Sequence, residues 1–207
     1  MPVFERVPTS TAVVAAGWVN PTNAYAFDNN YAYSETNNAE QSYDYKSFLQ
    51  ALGGTETIDK VFVRFKWIYK LTGVATGDDA TVTFSIKVYD GSTWTTYQVA
   101  AATFNCTTFN DEDFTDTDGD NSNSIVFIDV TSILNTHAKL NSAQTRLLTT
   151  LTADAGLTLR ISVDCISLLV CYHIKAGAMY TGETAITKHS SPLARKALQI
   201  VEAYLTS

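Results

Sequence analysis

Thr81-Val82-Thr83-Phe84-Ser85-Ile86-Lys87-Val88-Tyr89-Asp90-Gly91-Ser92-Thr93-Trp94-Thr95-Thr96-Tyr97-Gln98-Val99 alternates apolar and polar side chains up to Tyr89 and then breaks into turn-forming residues. A period of two places Val82, Phe84, Ile86 and Val88 on one face and Thr81, Thr83, Ser85 and Lys87 on the other. That is the pattern of a half-buried strand rather than a helix. Asp90-Gly91-Ser92-Thr93 supplies turn chemistry, so residues 94–99 return antiparallel as the second arm of a hairpin.

The same alternation recurs upstream. Val61, Val63, Phe65 and Trp67 share one face, with Arg64 and Lys66 on the other. Residues 124–130, 157–163 and 165–174 read as further strands, the last apolar on both faces. At about 3.3 Å per residue, a continuous run over 157–174 exceeds an ordinary strand, so a bend or bulge is expected near Asp164. Helical signals are few. Asp129-Val130-Thr131-Ser132-Ile133-Leu134-Asn135 predicts one or two turns within 131–140. Ser190-Ser191-Pro192 is a cap with proline at the first helical position, followed by an apolar stripe of Leu193, Ala194, Ala197, Leu198, Val201, Tyr204 and Leu205.

Many short strands with Thr-rich outer faces predict an all-β fold, an antiparallel sandwich in which each sheet buries one face against the other. We expect a jelly-roll β-sandwich over residues 17–174, an N-terminal arm over 1–16 and a C-terminal arm over 175–207 carrying the amphipathic helix. An isolated helix of that length is marginal in water. Leu193, Ala197, Leu198, Val201, Tyr204 and Leu205 are therefore candidate assembly residues, covered by the parent domain or by a neighbouring subunit.

Of the 207 residues, 45% are hydrophobic and only 17% charged, enough apolar material for a core and too much for a disordered chain. No apolar run approaches the roughly 20 residues of a membrane-spanning helix, so no membrane partner is expected. The net charge of -7, with no Lys/Arg cluster to offset it, argues against nucleic acid. The opening Met-Pro-Val-Phe-Glu-Arg-Val-Pro lacks the basic and apolar regions of a secretory signal. Cys106, Cys165 and Cys171 form neither a disulfide framework nor a zinc spacing. Cys165 and Cys171 would lie roughly 20 Å apart along one straight strand, too far to pair, and read as buried reduced thiols.

The strongest chemical signal is the acidic run Asn110-Asp111-Glu112-Asp113-Phe114-Thr115-Asp116-Thr117-Asp118-Gly119-Asp120-Asn121-Ser122-Asn123. Asp116, Asp118 and Asp120 alternate, as hard oxygen ligands for calcium would. The match to known calcium loops is partial, because Gly119 stands fourth and Phe127 stands twelfth, where a bidentate carboxylate is needed. A solvated acidic turn is the other reading. His137, His173 and His189 are scattered and no nucleophile, phosphate-loop or metalloprotease motif accompanies them, so no enzymatic activity is expected. Aromatic residues around 18–31 have two readings. Trp18, Tyr25, Phe27 and Tyr31 plug a sandwich edge, or aromatics beside Asn and Asp stack on a sugar, with Trp18 and Trp94 as the contacts.

Gly17-Trp18-Val19-Asn20-Pro21-Thr22-Asn23-Ala24-Tyr25-Ala26-Phe27-Asp28-Asn29-Asn30-Tyr31-Ala32 resembles the "GW-x-NP-x-NA-x-A-x-D-x-x-YA" opening of jelly-roll virion proteins of tailed bacteriophages and related viruses. Ile58-Asp59-Lys60-Val61-Phe62-Val63 is similar to their "I-x-G-I-x-V" strand, without its glycine. Asp129-Val130-Thr131 resembles a recurrent "DVT" before a short helix, and residues 161–172 resemble a closing "V-D-x-V-x-L-x-V-x-Y" strand. The set spans roughly residues 17–174. The resemblance implies a structural component of the virion, of capsid-decoration, tail or fibre type. Its expected partners are itself, as a homo-oligomer, and other virion proteins, with no cofactor beyond the candidate calcium. The competing reading is a carbohydrate-binding module for host attachment, with or without calcium.

Overall fold

Alternation becomes architecture in the computed structural model, which describes residues 2–45, 56–72, 79–105, 114–115 and 125–174. Among these, the strands in chain order are β1 (Val3–Arg6), β2 (Ser10–Ala15), β3 (Trp18–Val19), β4 (Ala32–Ser34), β5 (Glu40–Asp44), β6 (Glu56–Thr72), β7 (Asp79–Tyr89), β8 (Trp94–Asn105), β9 (Phe114–Thr115), β10 (Ile125–Asp129), β11 (Gln144–Ala153) and β12 (Thr158–Ile174). A 3-10 turn, Pro21–Ala24, and a short helix α1, His137–Asn141, complete the set. No helix among the described residues is long and apolar enough to cross a membrane.

Two antiparallel sheets face each other. The first runs β10-β6-β12-β4-β3, with β1 also on β12 and β9 on β6; the second runs β2-β5-β11-β7-β8. From β4 onward the chain changes sheet at each connection among these paired strands except the β7–β8 hairpin, with β9 the small addition to β6. The strand orders β4-β12-β6-β10 and β5-β11-β7-β8 are those of a jelly roll.

The core lies between the sheets. Val82, Phe84, Ile86 and Val88 of β7 are buried, as their alternation requires, opposite Val61, Val63 and Phe65 of β6. Phe84 sits edge-on to Phe65, with ring centroids 6.0 Å apart, and 5.5 Å from the ring of Trp67. Tyr45 and Thr145 place a hydroxyl–hydroxyl hydrogen bond of 2.8 Å in full burial, which satisfies both groups.

Several expectations change. The segment expected as an N-terminal arm supplies strands to both sheets, β1 pairing with β12 and β2 with β5. Within 131–140 the helical signal resolves into a turn at 131–134 followed by α1, whose N-cap Thr136 hydroxyl accepts from Lys139 N at 3.3 Å. Arg64 and Lys66 point away from the core, as the alternation says, yet they are only 3% and 5% exposed. A distant stretch of chain, residues 27–31, supplies contacts to that outer face. The C-terminal arm and its helix lie outside the described residues.

Candidate functional site

β12 carries seventeen residues in one strand, far longer than an ordinary strand. The ladder to β6 slips at Asp164, with Val163 opposite Trp67 and Cys165 opposite Lys66. This is the irregularity expected near Asp164. The unpaired residue turns a carboxylate, 1% exposed, to the outer face where Lys66 and Arg64 project.

A buried carboxylate requires donors, and the crossing segment before β4 brings them. Asp164 Oδ1 accepts from Asp28 N at 3.2 Å and Asn29 N at 2.9 Å. Its Oδ2 stands 3.6 Å from Lys66 Nζ. Lys66 Nζ in turn donates to Asn29 Oδ1 at 2.8 Å, and the Tyr31 ring lies 5.8 Å away. Asn29 takes a left-handed backbone, φ 63°, which aims both its N–H and its side chain into the cluster. Alongside, Arg64 pairs with Glu5 and lies 4.1 Å over the ring of Phe27. Burial pushes the Asp164 carboxyl up, against the two N–H donors and Lys66 that pull it down. The result is a closed set of acid, amine and carboxamide between strand and loop.

A second cluster occupies the outer face of the other sheet. Trp94 stacks on its cross-strand neighbour Tyr89, centroids 4.9 Å apart, and the Arg146 guanidinium lies 3.9 Å from the Trp94 centroid. Glu40 bridges Lys87 at 3.1 Å and Arg146 at 3.3 Å. A third feature is an edge. Among the described strands β2 is the outermost of its sheet, and the exposed large hydrophobics among the described residues, Val7, Val13, Val14 and Val19, all lie on or beside it in sequence. Residues 7–17 carry no charge.

Trp18 is 8% exposed, with its indole N–H donating to Ala39 O at 3.4 Å, while Trp94 is half-buried in the opposite sheet. The structure does not bring the two candidate sugar contacts together. Tyr25 is partly buried and packs against the core, 6.3 Å from Tyr43, whereas Phe27 and Tyr31 lie against Arg64 and Lys66. Asp116, Asp118 and Asp120 lie outside the described residues, as do Leu193, Ala197, Leu198, Val201, Tyr204 and Leu205. No group of three His, Cys, Asp or Glu among the described residues is arranged to hold a metal ion. His173 Nδ1 contacts Asp59 Oδ1 at 2.7 Å in an exposed position, far in sequence from His137. Lys66, Asn29 and Asp164 were not candidates in the sequence; the signal available was an aspartate interrupting an apolar strand, with two cations two residues apart on its partner.

No family model matches the chain, and no curated protein matches it. Among solved structures, a chain of infectious bursal disease virus Gt strain is 13% identical, with a TM-score of 0.30, over 82% of this chain and 32% of its own. A chain of the Gx strain is 12% identical, with a TM-score of 0.26, over 84% of this chain and 37% of its own. This chain thus spans about a third of the length of the viral chains it matches. At these scores the fold assignment rests on the strand order itself.

Proposed function

We propose that this chain is a structural protein of a phage-like virus particle, packing on capsid or tail through its jelly roll and terminal segments. The observation that carries the reading is the uncharged edge strand β2 with Val13 65% and Val14 44% exposed, on a jelly roll whose sequence resembles that of virion proteins at the strings quoted above. An open edge presents unpaired backbone groups and apolar side chains to a neighbouring subunit. Many copies of one weak contact then add up by multivalency. The partners on this reading are further copies of the chain and other virion proteins, with the stripe from Leu193 to Leu205 as a second contact.

Sedimentation of the full chain tests it. Wild type is expected to associate, and Val13→Lys combined with Val14→Lys is expected to sediment as a monomer with an unchanged strand spectrum. Removal of residues 190–207 is expected to weaken assembly independently. A wild-type chain that stays monomeric at high concentration and fails to bind particles overturns the proposal.

A further inference from the structure

We propose that Lys66 and Asn29 form an intramolecular isopeptide bond, with Asp164 as the proton-transferring acid, joining the crossing segment before β4 covalently to β6. The inference is independent of the virion reading, because it rests on three side chains within one chain.

The geometry holds the reactants in place. Lys66 Nζ is already 2.8 Å from Asn29 Oδ1, the oxygen bonded to the carbonyl carbon it attacks. Asp164 lies 3.6 Å from the same amine and grips the Asn29 backbone at 2.9 Å. Lys66 and Asp164 are 5% and 1% exposed, so water is kept from the amine and its acid. Fixing an amine and a carboxamide in this way replaces a bimolecular encounter by an internal one. Asn29 is itself exposed, which leaves the departing group a route to solvent.

The step balances without an oxidant or co-reactant. A proton passes from the Lys66 ammonium to the Asp164 carboxylate, freeing the amine lone pair. Nζ attacks Asn29 Cγ, forming the new C–N bond while the carbonyl π pair moves to oxygen. The carbonyl then re-forms, the old C–N bond breaks, and the departing nitrogen takes the proton held by Asp164 and the one shed by Nζ. An ammonium and a carboxamide become a secondary amide and an ammonium ion, and Asp164 ends as the carboxylate it began as. Burial that pushes the Asp164 carboxyl up favours its protonated form midway.

Intact-mass measurement on the purified full chain, followed by tryptic mapping, decides the matter. The expected result is a mass lower than the sequence by one ammonia, loss of cleavage after Lys66, and a branched peptide joining residues 7–46 to residues 65–70. Asn29→Ala and Lys66→Arg are each expected to restore the full mass. Asp164→Asn is expected to leave the bond unformed in a chain whose strand spectrum is native. Full mass with normal cleavage after Lys66 in the folded wild type overturns the proposal, as does ammonia loss without the branched peptide. A folded Asp164→Asn chain that is fully linked overturns it too; if that variant does not fold, the wild-type map alone decides.

Discussion

Asp90 fixes the tip of the β7–β8 hairpin by accepting from Ser92 N and Thr93 N, both at 2.9 Å, while Gly91 takes φ +98° between them. The Thr93 and Ser92 hydrogen bonds hold the Asp90 carboxyl well below the usual carboxylate range. A depressed folded pKa contributes stability that is complete above the unfolded value and is lost as pH falls from there through the folded value. Asp90→Ala should therefore lower the melting temperature at neutral pH, and the gap to wild type should close in acid; a gap constant with pH would contradict this. Asp164 runs the other way, since its raised pKa makes ionisation cost stability as pH rises past the unfolded value. Burial also pushes the Cys171 thiol up to about 11 and the Cys165 thiol higher still. Neither is expected to react with a thiol reagent in the folded chain at neutral pH, and both should react once urea unfolds it. The buried thiols were legible from an apolar strand, whereas the burial of Lys66 was not. Its cover comes from Asn29 and Tyr31, more than thirty residues earlier, and alternation speaks only of which face a side chain takes.

Element by element, legibility followed contrast. β7 and its hairpin stood out because every inward position is apolar. β11 did not, because its inward face interleaves Leu147 and Leu151 with Thr145 and Thr149. Those threonines are tolerated inside because Thr145 meets the Tyr45 hydroxyl and Thr149 Oγ1 donates to Thr36 O at 3.0 Å. β5 hid for the same reason, its inward face setting Gln41 beside Tyr43. The link from β2 to β3 depends on Gly17 at φ +135°, where an added Cβ would sit 2.5 Å from Thr36 Cβ and 2.8 Å from Ala39 Cβ. Gly17→Ala should cost about 3 kcal/mol in urea unfolding, from backbone strain and overpacking together. Gly156 has φ +97° but nothing within 4 Å of the same added atom, so Gly156→Ala should cost only about 1 kcal/mol. Equal losses at the two sites would show that crowding at Gly17 is relieved by movement of the 36–39 turn.

Across the whole molecule, the pairings that define the fold are distant in sequence, with Phe62 opposite Leu169 and Glu40 opposite Leu148. Such a topology must close long loops before it gains contacts. Stopped-flow refolding is expected on the millisecond-to-second scale of sandwiches rather than the microseconds of helical bundles. Phe84→Ala, which empties the centre between the sheets, should cost about 3–5 kcal/mol in the same experiment. The net charge of -7 sets copies of the chain against each other. If β2 edges associate as proposed, added salt should strengthen association by screening that repulsion, and weakening with salt would point to ion pairs instead.

One strand position beside β12 is filled by two pieces, β4 against Ile161–Val163 and β1 against Leu168–Cys171, with Asp164 between them. Tension applied at the amino terminus would meet them in turn. The four residue pairs of β1 would give way first, letting the leading segment pay out like a slackened tether while both sheets stay shut. Extension would then halt at β2, which is held to β5 in the opposite sheet, and behind it at the segment tied to Asp164. In single-molecule pulling, a short early yield followed by a stiff plateau would be the signature of a domain that gives locally under load without opening.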